Sequence, residues 1–131
     1  MSKNTLLRQV KTANKVLLIG NGGSYANAVH ICNDLLAKGI KAYTLDPSTL
    51  TATANDFGYE TVFQKWIATV GELGDLLIAL SGSGKSPNIL KAIAEAEEQG
   101  MMVYKMFGTG KNMQEAENEQ LVLGHQIYNE L

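Results

Sequence analysis

Twice in this chain a short apolar run ends in a glycine- and serine-rich loop that opens directly into a helical pattern. The first unit is Lys15-Val16-Leu17-Leu18-Ile19, then Gly20-Asn21-Gly22-Gly23-Ser24, then an amphipathic stretch from Tyr25 to Lys38. The second is Asp75-Leu76-Leu77-Ile78-Ala79-Leu80, then Ser81-Gly82-Ser83-Gly84-Lys85-Ser86-Pro87, then a helical pattern from Asn88 to Gln99. Strand, tight turn and helix in that order argue for a parallel sheet covered by helices on both faces, an α/β three-layer sandwich.

Such loops have a chemistry of their own. A glycine turn lets backbone N–H groups approach an anion, and the helix N-terminus behind it adds a favourable dipole. Ser24 is placed either to cap the first helix or to donate its hydroxyl to a phosphate. The second loop offers Ser81, Ser83 and Ser86 at the C-terminal end of a parallel strand, where ligands bind in open α/β sheets. Ser86 or Asn88 can cap the following helix, and Pro87 is tolerated in its first turn. Hydroxyls and amides without fixed charge suit a sugar phosphate. One such loop is also an ordinary turn; two matched loops are better evidence for a ligand.

Gly82-Ser83-Gly84-Lys85-Ser86 mimics the end of a nucleotide-binding P-loop. That motif requires its first glycine at position 79, which is Ala79. No nucleotide cofactor is therefore expected, and Lys85 reads as a solvated loop lysine.

At 131 residues the chain is one domain, 1–131, with enough length for a real core. Its net charge of −2 gives no electrostatic case for nucleic acid or an anionic membrane, and no apolar run is long enough to span a bilayer. Met1-Ser2-Lys3-Asn4 has no signal-peptide pattern, and the one cysteine, Cys32, cannot form an internal disulfide. A cytoplasmic setting is expected, with Cys32 as a core residue.

Elsewhere the periodicity predicts a short helix over 4–13, a strand over 40–45 and a short helix over 48–54. Asn55-Asp56-Phe57-Gly58 reads as a loop. A helix over 59–70 follows, with Val62, Phe63, Trp66, Ile67 and Val70 as its apolar stripe. A strand over 101–107 comes next, and then a last helix capped by Asn112. Phe107-Gly108-Thr109-Gly110-Lys111 runs straight into Asn112. A fifth strand is expected before the final helix, which suggests residues missing near 111–112.

His30 and Asp34 lie four apart on one helix, and Glu117 and His125 eight apart on the last one. Imidazole and carboxylate at these spacings share a face and can bind zinc or a related metal, or act as general acid and base. Taken singly, each is ordinarily a surface or core residue.

Together these residues resemble the sugar isomerase (SIS) domain family, and within it the phosphoheptose isomerases. The motifs that carry the resemblance are Gly20-Asn21-Gly22-Gly23-Ser24 with His30 downstream, Asn55-Asp56-Phe57-Gly58, and Ser81-Gly82-Ser83-Gly84-Lys85-Ser86-Pro87-Asn88. The resemblance implies a flavodoxin-like, mostly parallel sheet. It also implies aldose–ketose isomerisation of a phosphorylated sugar such as sedoheptulose 7-phosphate, and a homo-oligomer, dimer or tetramer, with sites between subunits. By the same resemblance Asn21, Gly22, Gly23 and Ser24, Asn55 and Asp56, and Ser81, Gly82, Ser83 and Ser86 bind the substrate. His30, Asp34, Glu117 and His125 are the metal set, with zinc as the candidate ion. Asp34, Glu117 and His125 are the catalytic groups. Two positions depart from the family: Asp34 stands where the isomerases usually carry Glu, one methylene longer, and Glu117 where they often carry Gln. A non-catalytic SIS module, sensing phosphosugars or regulating another protein, is the rival reading.

Overall fold

The computed structural model describes all residues, Met1–Leu131. In order they form α1 (Lys3–Thr12), β1 (Val16–Ile19), α2 (Gly23–Ala37), β2 (Ala42–Thr44) and α3 (Pro47–Phe57). A 3-10 turn (Tyr59–Thr61) leads into α4 (Val62–Val70), β3 (Leu76–Ser81), α5 (Pro87–Glu98), β4 (Met102–Phe107) and α6 (Met113–Glu130). The four strands are all parallel, in the order β2-β1-β3-β4.

Every residue of β1 and β3 is buried, which is why both read as unbroken apolar runs rather than alternating ones. Alternation survives in where the side chains go. Val16, Leu18, Leu76, Ile78 and Leu80 pack with α1, α2 and α6 through Leu6, Val10, Ile31, Leu35, Leu123 and Ile127. Leu17, Ile19, Leu77 and Ala79 face the other way, into Val62, Phe63 and Ile67 of α4 and Ile89, Ala92, Ile93 and Ala96 of α5. The result is the three-layer sandwich that the sequence implies.

The strand order fixes where a ligand can enter. After β1 the chain moves outward to β2; after β3 it moves the opposite way, to β4. A single crossover hand then requires α2 and α5 to cover opposite faces, as they do. Their N-termini diverge above the β1–β3 gap and leave a crevice there, the topological switch point of a doubly wound sheet. Both glycine-serine loops lie at its rim. At the far end of the same two strands Lys15 donates to the buried Asp75 carboxylate at 2.6 Å and ties their starts together.

Two expectations change. Asn55, Asp56 and Phe57 are not a loop but the last turn of α3, whose cap Asp46 accepts from the Thr49 amide and whose Pro47 opens the helix. The helix runs on to Gly58, where a φ of 99° ends it. The expected fifth strand is absent. β4 turns into α6 within five residues. That turn is tight because Gly108 and Gly110 lie against Ala116 and Glu115 with no room for a Cβ. Glu119 and Glu115 accept from the Thr109 and Lys111 amides, and Asn112 caps α6. The outer edge of β4 is left unpaired, with Lys105 as its exposed charge.

Cys32 is a core residue of α2, 6% exposed, and burial pushes its thiol above the usual range. A disulfide reagent should therefore react with it slowly in the native protein and fully after unfolding; rapid native labelling at neutral pH would contradict this packing. The sign of the linkage follows. At a pH where the unfolded chain loses the thiol proton and the native one keeps it, stability falls as pH rises.

Candidate functional site

At the β1–α2 loop the chain backbone comes within contact of itself. A Cβ on Gly20 would stand 2.7 Å from the Ser24 carbonyl carbon, so only glycine fits there. Gly22 precedes α2 with a φ of 55° and provides no side-chain cap. The Gly22 and Gly23 amides donate to no acceptor in the protein, and they face outward from a helix N-terminus of fifteen residues. Ser24 is not the cap. It sits inside the first turn, 3% exposed, sharing hydrogen bonds with Gln120 of α6 at 3.2 and 3.3 Å.

The serine loop opposite is self-bonded in part. Ser81 Oγ accepts from the Gly84 amide and Ser83 Oγ from the Lys85 amide. Ser86 is the residue before α5, but its hydroxyl makes no capping bond and is free for a ligand. Between the loops lies a hollow of about 60 Å³ walled by Asn21, Ser24, Ser81, Gly82 and Ser86, with Met113 as its roof. The Met113 thioether rests on Gly82, where a Cβ would meet it at 2.2 Å. A wider hollow of about 380 Å³ opens beside Trp66 and Tyr43 at the β2 edge, away from both loops.

On α2 and α6 a second cluster forms. Gly124 packs against Ile31 so closely that a Cβ would stand 2.6 Å from the Ile31 side chain, and this close crossing sets His125 beside His30. Their Nε2 atoms are 3.3 Å apart, and His30 Nε2 lies 3.5 Å from Asp34 Oδ2. The donor atoms of all three residues lie within 4.8 Å of one another. Ligands about 2.1 Å from one tetrahedral zinc ion stand roughly 3.4 Å apart, so the two short separations fit such an ion. Two imidazoles and a carboxylate are also the donor chemistry of catalytic zinc, with a position left open.

Glu117 does not join them. It lies two turns before His125 on α6, about 12 Å along the helix axis. Its carboxylate covers Gly23, where a Cβ would meet Oε2 at 2.1 Å. The structure thus gathers three of the four expected metal residues and sets the fourth against the β1–α2 loop. Asn55 and Asp56 lie exposed at the end of α3, hydrogen-bonded to each other. Gln120 has no motif or periodicity to mark it in the sequence. It is wholly buried, and its amide joins Ser24, Asn27 and the Met106 carbonyl. Asn88, a candidate cap at the end of the serine-loop motif, is 3% exposed and paired with Asn21.

Comparison with known proteins agrees with this fold. The profile of the SIS domain matches residues 3–108, which leaves α6 outside the match. Phosphoheptose isomerase of Rhodospirillum rubrum is 40% identical over 109 residues, 77% of this chain and 58% of that protein. The Burkholderia pseudomallei enzyme of the same name is 45% identical over 103 residues, 72% of this chain and 52% of that protein. The chain spans a little over half the length of such relatives. Among solved structures, phosphoheptose isomerase GmhA from Neisseria gonorrhoeae superposes with a TM-score of 0.85 at 28% identity, over 97% of this chain and 80% of that one. A phosphoheptose isomerase from Francisella tularensis gives 0.90 at 26%, over 97% and 82%. The NanR protein of Vibrio vulnificus, solved with ManNAc-6P, shares the fold with a TM-score of 0.75 at 17% identity, over 98% of this chain and 53% of that one. The chain belongs to the SIS domain family.

Proposed function

We propose that this protein isomerises a phosphorylated sugar between ketose and aldose, with sedoheptulose 7-phosphate as the substrate to test first. The observation that carries the reading is the pairing of two kinds of site. The free Ser86 hydroxyl lines the switch-point crevice and the free Gly22 and Gly23 amides belong to the loop at its rim, and an imidazole–carboxylate cluster stands on α2 and α6. The names of the relatives point the same way.

The phosphoryl group would rest on the Gly22 and Gly23 amides, the Ser86 hydroxyl and the N-termini of α2 and α5. Chemistry at the other end needs a base for a carbon-bound proton and an acid for the neighbouring oxygen, both within reach of one two-carbon unit. Asp34 and His125 satisfy that; Glu117, two turns away, does not. Asp34 takes the proton from C1 of the ketose while His125 protonates the C2 oxygen, giving an enediol. His125 then takes the proton from the C1 hydroxyl as Asp34 returns its own to C2, leaving the aldose. Glu117 faces the anion loop and accepts from sugar hydroxyls. His30, Asp34 and His125 would hold a zinc ion, which supplies Lewis-acid polarisation of a carbonyl when bound. A homo-oligomer in the cytoplasm, with the cluster facing a second subunit, completes the reading.

Turnover in deuterated water tests it. The proposal expects deuterium at C2 of the aldose product, because the transferred proton exchanges with solvent on the base. Retained phosphosugar binding with neither product nor exchange would instead favour a sensing or regulatory module.

A further inference from the structure

Asn21 sits at the centre of a hydrogen-bonded clamp. Its Nδ2 donates to Asn88 Oδ1 at 3.0 Å, and Asn88 Nδ2 donates back to Asn21 Oδ1 at 2.8 Å. The same Asn21 Oδ1 accepts from the Tyr59 hydroxyl at 2.7 Å. Three segments meet in these bonds: the β1–α2 loop, the first turn of α5 behind the serine loop, and the 3-10 turn after α3. Their residues are 67 and 38 positions apart in sequence. Two bonds to Asn21 Oδ1 use both of its acceptor sites, and one of its two amide protons is already committed.

We infer that Asn88 and Tyr59 are positioning residues which act through Asn21. They hold the two anion loops at a fixed separation and orient the Asn21 amide so that only a donor faces the crevice. An acceptor pointed at a phosphoryl oxygen would repel it. Saturating the Asn21 carbonyl from behind keeps that acceptor away from a ligand, so the spare N–H is the one Asn21 side-chain group left to bind it. The inference rests on the reading of this crevice as the phosphosugar site, and it assigns work to two residues that reading leaves idle.

The test uses the full chain. Tyr59 is half-exposed, so Tyr59→Phe removes one hydrogen bond without disturbing the core. It should raise KM for sedoheptulose 7-phosphate about fivefold and leave kcat within about twofold, as expected for one hydrogen bond. Asn88→Asp keeps the shape but loses the donor, and should raise KM by about tenfold or more. In an Asn21→Ala background Tyr59→Phe should add nothing further. A merely structural role would lower the melting temperature and leave KM unmoved. An unchanged KM in Tyr59→Phe, or a Tyr59→Phe effect that persists without Asn21, overturns the clamp. Calorimetric binding of inorganic phosphate separates this from the function itself. If the wild type binds phosphate but turns over no sugar, the same shifts in Kd are expected and only the isomerase reading fails. A wild type that binds neither ligand overturns both.

Discussion

His125→Ala is expected to lower turnover of the sugar phosphate by about 10²–10⁴-fold, the usual worth of a positioned acid–base group, with phosphosugar affinity unchanged within about twofold. The two effects separate because the structure separates the sites. His125 stands beside His30 and Asp34, while the loops proposed to hold the phosphoryl group join β1 to α2 and β3 to α5 and take no atom from it. The residue is exposed on α6, so its loss leaves no cavity, and the melting temperature should hold. Steady-state kinetics paired with calorimetry reads both quantities. Unchanged turnover would remove His125 from the mechanism, and equal loss of binding and turnover would place it in the phosphate site. Removing the imidazole also leaves His30 and Asp34 as a two-donor set, so zinc affinity should fall in the same variant.

A second large effect distinguishes two glycines three residues apart. In Gly20→Ala the new Cβ meets backbone, the Ser24 carbonyl group and the Tyr25 amide nitrogen, at 2.7–2.9 Å. Backbone in a helix's first turn cannot step aside without moving Ser24 and its bond to Gln120. Overpacking of this kind costs about 1–3 kcal/mol, which lowers the melting temperature on the order of 10 °C. Anion binding should be lost with it, because the Gly22 and Gly23 amides move too. In Gly23→Ala the obstacle is the far end of the Glu117 side chain, which swings away at small cost. That variant should fold normally, with its defect confined to sugar recognition and visible as a raised KM. Thermal melts and kinetics on the pair check this; a Gly20→Ala protein with unaltered melting and binding would contradict the close approach.

What the sequence disclosed followed its periodicities. Leu17 to Ile19 and Leu76 to Leu80 announce buried parallel strands by lacking alternation, and the loops after them fall at the switch point because strand order leaves no other crevice. The pair His30 and Asp34 was legible because residues four apart on a helix always meet. The Glu117–His125 pair shows the limit of that logic: one helix face is a line, and eight positions along it carry the carboxylate away from the imidazole and over Gly23. Asn55 and Asp56 looked like loop because Asn, Asp and Gly favour turns, yet the α3 packing carries the helix to Gly58. The hydrogen bonds of Gln120, Asn88 and Tyr59 have no local signature. Their side-chain partners lie 38 to 96 residues away, and only the fold brings them together.

The most direct measurement is turnover of sedoheptulose 7-phosphate by the full chain after chelation, with and without added zinc. The account predicts product formation that chelation abolishes and zinc restores, at about one ion per His30–Asp34–His125 cluster. No turnover at any zinc level, with the sugar phosphate still bound, would contradict the claim that this SIS domain is an isomerase of that sugar.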